Sequence, residues 1–164
     1  MKYCPQCTNR LEDKFIDGIN RKVCSAPGCN FIFWDNPLPV VAALVQYNDQ
    51  IILARNAKWP DGIFSLITGF LEREETPDQA IVREVQEELG LVGEVNGFIG
   101  YYSFFKMNQI ILAFWVTASG ELTTGDEIAE VKYVPKEKLD PGQFSRLVIT
   151  SAIVKDWLEK FRDA

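Results

Sequence analysis

Three glutamates, Glu84, Glu87 and Glu88, are spaced so that their carboxylates can bind one ligand together. Positions i, i+3 and i+4 of an α-helix lie on one face, so the three side chains converge if this segment is helical. Like charges at such spacings repel by roughly 0.2–0.5 kcal/mol per pair, and a divalent cation reverses that repulsion. Ligands that are all oxygen favour Mg²⁺ or Mn²⁺. The spacing alone leaves two interpretations open, a metal site and a solvated acidic face.

The chain contains no histidine, and this limits the chemistry that the carboxylates can accompany. Ser-His-Asp and Cys-His catalysis and zinc sites built on histidine are excluded. Acid–base catalysis must therefore come from carboxylates, lysine, tyrosine or water held by a metal. Arg83 directly precedes the glutamates and can hold one carboxylate through a bidentate pair.

Four cysteines in two closely spaced pairs predict a second metal site. Two residues separate Cys4 from Cys7, and four separate Cys24 from Cys29. Two tight turns, each with two thiolates, can close a tetrahedral site around Zn²⁺. Four protein ligands leave no open position, so this zinc would be structural, and a segment of ~35 residues needs such help to fold. A redox-active dithiol pair and two disulfides are the alternatives.

Two helices and several strands are expected to position these residues. The segment 76–79, Thr-Pro-Asp-Gln, combines an N-cap hydroxyl with proline and glutamine at the first and third helical positions. Gly90 is typical of the residue that follows a helix, so a helix is predicted over Thr76 to Leu89. A second, amphipathic helix is predicted over about Ser145 to Phe161. Strands are predicted at Val40–Tyr47, Ile51–Ala54, Phe64–Thr68, Phe98–Tyr102, Gln109–Thr117 and Val131–Val134.

This order of elements predicts an α/β (α+β) fold with a mixed sheet covered on both faces. Residues 1–35 contain all four cysteines and few aliphatic side chains, and the prolines at 37 and 39 then form a stiff, extended joint. We therefore expect a small zinc-binding domain over residues 1–35 and the main domain over residues 36–164.

The net charge and the hydropathy of the chain limit the kinds of partner and the cellular location that we expect. The net charge is −6, and the chain beyond residue 35 carries 12 basic against 19 acidic side chains, which argues against binding to nucleic acid. The aromatic run at residues 31–34 is either packing or a base-stacking platform. No stretch approaches the ~20 apolar residues of a membrane span, and the first residues lack the apolar core of a signal peptide. A cytoplasmic protein with reduced cysteines is expected. The sequence allows a homodimer but does not decide the oligomeric state.

From Gly69 to Leu91 the chain resembles the signature of the Nudix hydrolases. Five residues separate Gly69 from Glu75, and seven more precede the run Arg-Glu-Val-Gln-Glu-Glu-Leu-Gly-Leu at 83–91. The resemblance extends from about Val40 to the C-terminus. With its cysteine segment, the chain is similar to the zinc-ribbon Nudix proteins, a group that includes NADH pyrophosphatases. This implies an α/β/α sandwich preceded by a zinc ribbon.

The resemblance also implies roles for the acidic residues. Glu84 and Glu88 would be the primary Mg²⁺ ligands, and Glu87 would assist them or bind a second ion. The backbone carbonyl of Thr68 is a further candidate ligand.

An ion pair between Arg83 and Glu75 would orient this cluster. A later acidic residue often completes the site in relatives, and Glu127 is the best positional candidate, with Glu130 as its rival. A glutamate linked to the metal, Glu84 or Glu127, would accept the proton from the attacking water.

Substrate contacts are expected outside this signature. Phe70 is a candidate for stacking on a base, with a core position as the alternative, and Tyr102, Phe104 and Gln109 are further candidates. The segment 101–109 lacks the proline of NADH-cleaving relatives, and residues 66–68 lack the proline that usually precedes the signature glycine. These departures argue against strict specificity for NADH.

The predicted function is Mg²⁺-dependent (or Mn²⁺-dependent) hydrolysis of a nucleoside diphosphate derivative, such as ADP-ribose, FAD, NAD(H) or a nucleotide sugar, with release of a nucleoside monophosphate. An isopentenyl diphosphate isomerase would need a cysteine in the active site, and all four cysteines lie in the N-terminal segment. The remaining alternative is a non-catalytic nucleotide or nucleic-acid sensor.

Overall fold

The computed structural model describes residues 1–161, so the last three residues of the predicted main domain lie outside the described range. The chain forms two compact units, one spanning Met1–Pro37 and the other beginning at Leu38. Neither α-helix within residues 1–161 has the length and apolar character that a bilayer span requires.

The first unit contains a three-stranded antiparallel sheet that is absent from the sequence prediction. Its strands are β1 (Leu11–Ile16), β2 (Ile19–Cys24) and β3 (Ile32–Phe33). Asp17 and Gly18 join β1 to β2, both with positive φ, as a two-residue Asp-Gly hairpin turn requires. Cys4 and Leu11 are its buried apolar residues. So small a core cannot stabilise a unit of this size by itself.

The second unit is a mixed sheet with one long helix on each face. Its elements are β4 (Leu38–Tyr47), β5 (Gln50–Asn56), β6 (Ile67–Phe70), α1 (Pro77–Leu89), β7 (Val92–Phe104), β8 (Gln109–Ser119), β9 (Ile128–Pro135) and α2 (Val148–Phe161). The strand order is β7-β8-β4-β5-β9, and β6 pairs with β4. β4 and β8 run parallel, whereas the other neighbours are antiparallel. The predicted mixed α/β fold is confirmed.

The central strand β4 explains how the two faces are built. Ala42 and Leu44 belong to a buried cluster with residues of α2, whereas Val41, Ala43 and Val45 belong to a second cluster with residues of α1. Successive side chains of a strand point to opposite faces, so a strand covered on both sides is an almost continuous apolar run. The sheet is therefore a rigid support between two helices.

The ends of α1 are fixed by the residues that predicted them. Thr76 Oγ1 accepts a hydrogen bond from the Gln79 backbone N–H at 3.4 Å, and the Gln79 side chain accepts one from the Thr76 N–H at 2.9 Å. Gly90 ends the helix with φ 67°. These caps set which residues of α1 face the sheet.

All six predicted strands differ from the observed bounds by two or more residues in total, and β7 and β6 differ most. β7 is much longer than the predicted Phe98–Tyr102, because an edge strand rich in glycine and polar residues still pairs with β8 along its whole length, with two register shifts. β6 begins at Ile67, and before it Ser65 forms only an isolated bridge with Ala54.

Candidate active site

The burial pattern of α1 leaves its glutamates at one edge of the sheet. Ala80, Ile81, Val85 and Leu89 are buried against the sheet and form the apolar stripe of the helix. The acidic residues at 84, 87 and 88 lie beside that stripe, partly buried or exposed. Their common face opens into a cleft of about 560 Å³.

Arg83 binds several groups of this cleft at once. It makes a bidentate pair with Glu75, in which Nε and Nη2 lie 3.1 and 2.9 Å from the two carboxylate oxygens. Its Nη1 donates to Glu84 Oε1 at 2.7 Å and to Glu87 Oε2 at 3.0 Å. Its Nη2 also donates to the Phe70 carbonyl at 3.1 Å. This network holds the Glu84 carboxylate in one place, and Arg83 lowers the pKa of Glu75.

Gly69 gives the Glu84 carboxylate its space. A Cβ atom on Gly69 would overlap the carboxylate of Glu84, so the helix side chain lies directly against the backbone of β6. Register explains this contact, since Gly69 pairs with Val41 and therefore lies on the face of the sheet that α1 covers. Glycine at position 69 is thus required for the close approach of the Glu84 carboxylate to the backbone of β6.

The loop before β9 is tied to the end of α1 by backbone hydrogen bonds. Thr123 N–H donates to the Leu89 carbonyl at 2.9 Å, and Gly125 N–H donates to the Glu88 carbonyl at 3.0 Å. These bonds bring Glu127 into the cleft. The rival residue Glu130 lies on β9 and forms an ion pair with Arg55 at 3.3 Å, outside the lining of the cleft.

Burial and like charge act together on the carboxylates. Burial raises the pKa of Glu88 to about 8, with further contributions from Glu84, Glu127 and Glu87. Burial also raises the pKa of Glu84, although its bonds to Arg83 oppose that change. Glu88 has no hydrogen bond or ion pair from its carboxylate to any residue in the range 1–161. Ionising a buried carboxylate without a positive partner costs free energy, and a bound cation would be such a partner.

Eight of the predicted site residues line the cleft together: Thr68, Phe70, Arg83, Glu84, Glu87, Glu88, Gln109 and Glu127. Tyr102 and Phe104 do not line it. Both pack against the cluster that contains residues of α2, and the Tyr102 hydroxyl donates to Asp156 Oδ2 at 2.7 Å. Their side chains therefore help to join β7 to α2.

Apart from Gly69, five further residues line the cleft that the sequence did not single out as site residues, namely Val40, Lys58, Glu72, Gly125 and Asp126. Asp126 is adjacent to Glu127 and could have been found from the acidic run at 126–130. Lys58 follows β5 in a turn, far from the helix in sequence, and nothing in its neighbourhood sets it apart from a surface lysine.

The four cysteines of the first unit lie together. All four sulfurs are within 4.8 Å of one another, with 3.8 Å between those of Cys4 and Cys29 and 3.3 Å between those of Cys7 and Cys24. A tetrahedron of sulfurs ~2.3 Å from a zinc ion has edges of about 3.8 Å, so the spacing fits zinc. A hydrogen bond from the backbone of Asn9 lowers the pKa of Cys7 to about 6, which favours a thiolate. Backbone hydrogen bonds also act to lower the pKa of Cys24 and of Cys29, but burial and the neighbouring thiols outweigh them, so that the pKa of both is raised instead.

Comparison with known proteins gives a family match and several relatives. The family model described as NUDIX domain matches residues 37–158. The NAD-capped RNA hydrolase NudC of Pseudomonas aeruginosa is 28% identical over 142 residues, covering 85% of this chain and 50% of the relative. The ADP-ribose pyrophosphatase of Methanocaldococcus jannaschii is 30% identical over 129 residues, covering 75% of this chain and 74% of the relative. The chain thus spans about half the length of the NudC relative.

Among solved structures, a NUDIX hydrolase from Nitrosomonas europaea matches with a TM-score of 0.84 and 24% identity. The match covers 98% of this chain and 92% of that one. This likeness extends over the whole arrangement of sheet and helices and shows a shared fold.

Proposed function

Because the chain belongs to the NUDIX family, we propose that it hydrolyses the diphosphate bond of a nucleoside diphosphate derivative with the help of Mg²⁺ or Mn²⁺. The observation that carries this proposal is the cleft itself, in which four carboxylates converge, those of Glu84, Glu87, Glu88 and Glu127. The arginine beside them, Arg83, already uses its N–H donors in hydrogen bonds to the protein. Such a concentration of acidic groups suits a cation that can then bind a diphosphate.

The residues present fit a divalent cation. Glu88 is more than half buried among like charges and has no positive partner within residues 1–161, so ionisation of this carboxylate is opposed until a cation binds. We assign Glu84, Glu87 and Glu88 as the ligands, with the carbonyl of Thr68, which also lines the cleft, as a further candidate. All of these ligands are oxygen atoms, as Mg²⁺ and Mn²⁺ prefer.

When bound, the cation would neutralise charge on the diphosphate and favour deprotonation of a nearby water. The chain supplies the remaining functions. Arg83 and Glu75 keep Glu84 in position. A carboxylate must accept the proton of the water, because the chain has no histidine. Glu127 suits this role better than Glu84, since one oxygen of Glu84 is bound to Arg83 whereas Glu127 makes no ion pair within the described chain.

Substrate recognition would involve cleft residues supplied by β6 and β8. Phe70 is 54% exposed at the cleft, which leaves its ring face accessible to a base. Gln109, at the start of β8, offers both a donor and an acceptor to a nucleotide. The positions of Tyr102 and Phe104 against α2 give them no part in this proposal.

A substrate panel tests the proposed reaction. With Mg²⁺, the purified protein is expected to release a nucleoside monophosphate from at least one of ADP-ribose, NADH, FAD, a nucleotide sugar and an NAD-capped RNA. The capped RNA belongs in the panel because relatives with 28% identity are named for that activity. Chromatographic detection of the monophosphate is the measurement. No product from any compound with either Mg²⁺ or Mn²⁺, from protein that still binds nucleotide, would instead support a non-catalytic sensor.

The contact between Gly69 and Glu84 gives a second prediction. Gly69→Ala should displace the Glu84 carboxylate, because the new methyl group would occupy its position. We expect Mn²⁺ affinity to fall by about tenfold, as for loss of one charged ligand contact. Paramagnetic titration of Mn²⁺ measures this directly. Gly142→Ala is the matched control, since its added Cβ would lie 3.3 Å or more from the nearest atoms; equal Mn²⁺ affinity in the two variants would refute the assigned geometry.

We further propose that the first unit is a zinc ribbon in which Cys4, Cys7, Cys24 and Cys29 bind one structural Zn²⁺. The sulfur separations and the small core of this unit support the assignment. All four cysteines are free thiols in the structure. Such a site persists most readily in a reducing compartment, which supports a cytoplasmic location.

A further inference from the structure

The acidic cleft contains two basic side chains within residues 1–161, Arg83 and Lys58. A substrate diphosphate is itself negatively charged, and six acidic residues line the same cleft: Glu72, Glu84, Glu87, Glu88, Asp126 and Glu127. Beyond any bound cation, the attraction of a phosphate into this cleft must come from one of the two basic residues.

Arg83 is not available for that task. A guanidinium has five N–H donors, and Arg83 makes five hydrogen bonds, two to Glu75 and one each to Glu84, Glu87 and the Phe70 carbonyl. Each donor is thus committed to the protein. A phosphate could bind Arg83 only by breaking the network that holds Glu84.

Lys58 differs from Arg83 in the hydrogen bonding of its charged group. Its ammonium group makes no hydrogen bond or ion pair with any residue of the described chain, while its backbone N–H donates to Asn56 Oδ1 at 2.9 Å. The surrounding turn is held firmly, since Ala57 N–H donates to the Glu127 carbonyl at 2.8 Å and Trp59 N–H donates to the Asn56 carbonyl at 2.9 Å. The base of the side chain is therefore fixed beside the Glu127 loop, and its charged end is uncommitted.

We propose that Lys58 binds the diphosphate of the substrate, as a substrate-binding residue that sequence motifs do not identify. This inference rests on the proposed function of the same cleft. An ammonium on a flexible stem is a compact point charge and a common phosphate ligand. The hydrogen bond from Ala57 to Glu127 places this residue on the turn that adjoins the loop of the candidate proton acceptor. Lys58 would thereby hold the phosphate near the attacking water.

Binding of a non-hydrolysable probe, α,β-methylene-ADP, tests the inference without turnover. In the presence of saturating Mg²⁺, calorimetry should show that Lys58→Ala weakens binding of the probe about tenfold, whereas Lys58→Arg retains the charge and stays within about threefold of the wild type. Lys155→Ala is the matched control. Lys155 is an exposed lysine of α2 that pairs with Glu159 and does not line the cleft, so its loss should leave binding unchanged.

A second readout separates phosphate binding from support of the loop. In the absence of nucleotide, Lys58→Ala should bind Mn²⁺ as tightly as the wild type or more tightly, because a positive charge has left the acidic cleft. A loss of Mn²⁺ affinity would show that Lys58 only supports the Glu127 loop and would overturn the inference. Equal probe binding by Lys58→Ala and the wild type would overturn it as well, and would leave the proposed function intact. A wild type that, with Mg²⁺ or Mn²⁺, binds neither this probe nor the α,β-methylene analogue of the nucleotide in any compound of the substrate panel would overturn both.

Discussion

Replacing Glu88 with glutamine should lower kcat about 10³-fold, since losing the charge stabilisation of a catalytic cation removes several kcal/mol of barrier reduction. The same change should not destabilise the metal-free protein. Burial, together with the charges of Glu84, Glu127 and Glu87, raises the pKa of Glu88 to about 8, so folding without a cation must either bury its charge or take up a proton, and both cost free energy. Glutamine keeps the size of the side chain and removes that charge. Opposite effects on activity and stability are typical of residues retained for function.

Steady-state kinetics with Mg²⁺ and thermal unfolding after treatment with a chelator measure these two effects. Glu94→Gln is the matched control, because Glu94 is an exposed glutamate of β7 that does not line the cleft. We expect this control to retain normal kcat. Activity of Glu88→Gln close to that of the wild type would refute the ligand assignment. A large fall in its unfolding temperature would show that Glu88 has a structural partner.

Replacing Cys24 with serine should abolish zinc binding and unfold the first unit. A structural Cys₄ site contributes about 10–16 kcal/mol of apparent binding energy, and this energy is folding energy when the core is small. The first unit buries only Cys4 and Leu11 among its apolar side chains, so it has little else to hold it. The second unit has its own core on both faces of the sheet and should stay folded.

Metal analysis and limited proteolysis test this prediction. Wild-type protein should contain about one zinc per chain, as a closed tetrahedral site requires, and should resist cleavage within residues 1–37. Lys14→Gln, a change at an exposed residue of β1 in the same unit, should behave like the wild type. Zinc-free wild-type protein with an intact first unit would contradict the assignment. A protein mass lower by four hydrogen atoms would instead show that the cysteines form two disulfides.

The sequence was sufficient where local rules and spacing determine the structure. The capping residues of α1 predicted its bounds, because each cap satisfies backbone groups within a few residues. The spacing of Glu84, Glu87 and Glu88 predicted a shared face, since helix geometry alone fixes it. The apolar run at 40–47 predicted the strand that became β4, and the order of helices and strands predicted a sheet covered on both faces.

The remaining features depend on contacts between distant parts of the chain. Tyr102 and Phe104 share a stretch with Gln109, but the face of the sheet that each side chain meets depends on the register of β7 and β8. Lys58 enters the cleft because backbone bonds join its turn to the Glu127 loop. The sheet of the first unit has few aliphatic residues, and the Asp17-Gly18 turn was its one local signal.

The central claim is that this acidic cleft promotes attack of water on a phosphorus atom. It is tested most directly by turnover of the preferred panel compound in water enriched in the heavy oxygen isotope, followed by mass spectrometry of the products. We predict that, with Mg²⁺ present, a single labelled oxygen enters one of the two phosphate products at each bond cleaved, and that the chelated enzyme forms no product. Label on a carbon atom, label in neither phosphate, or undiminished turnover after chelation would contradict the account.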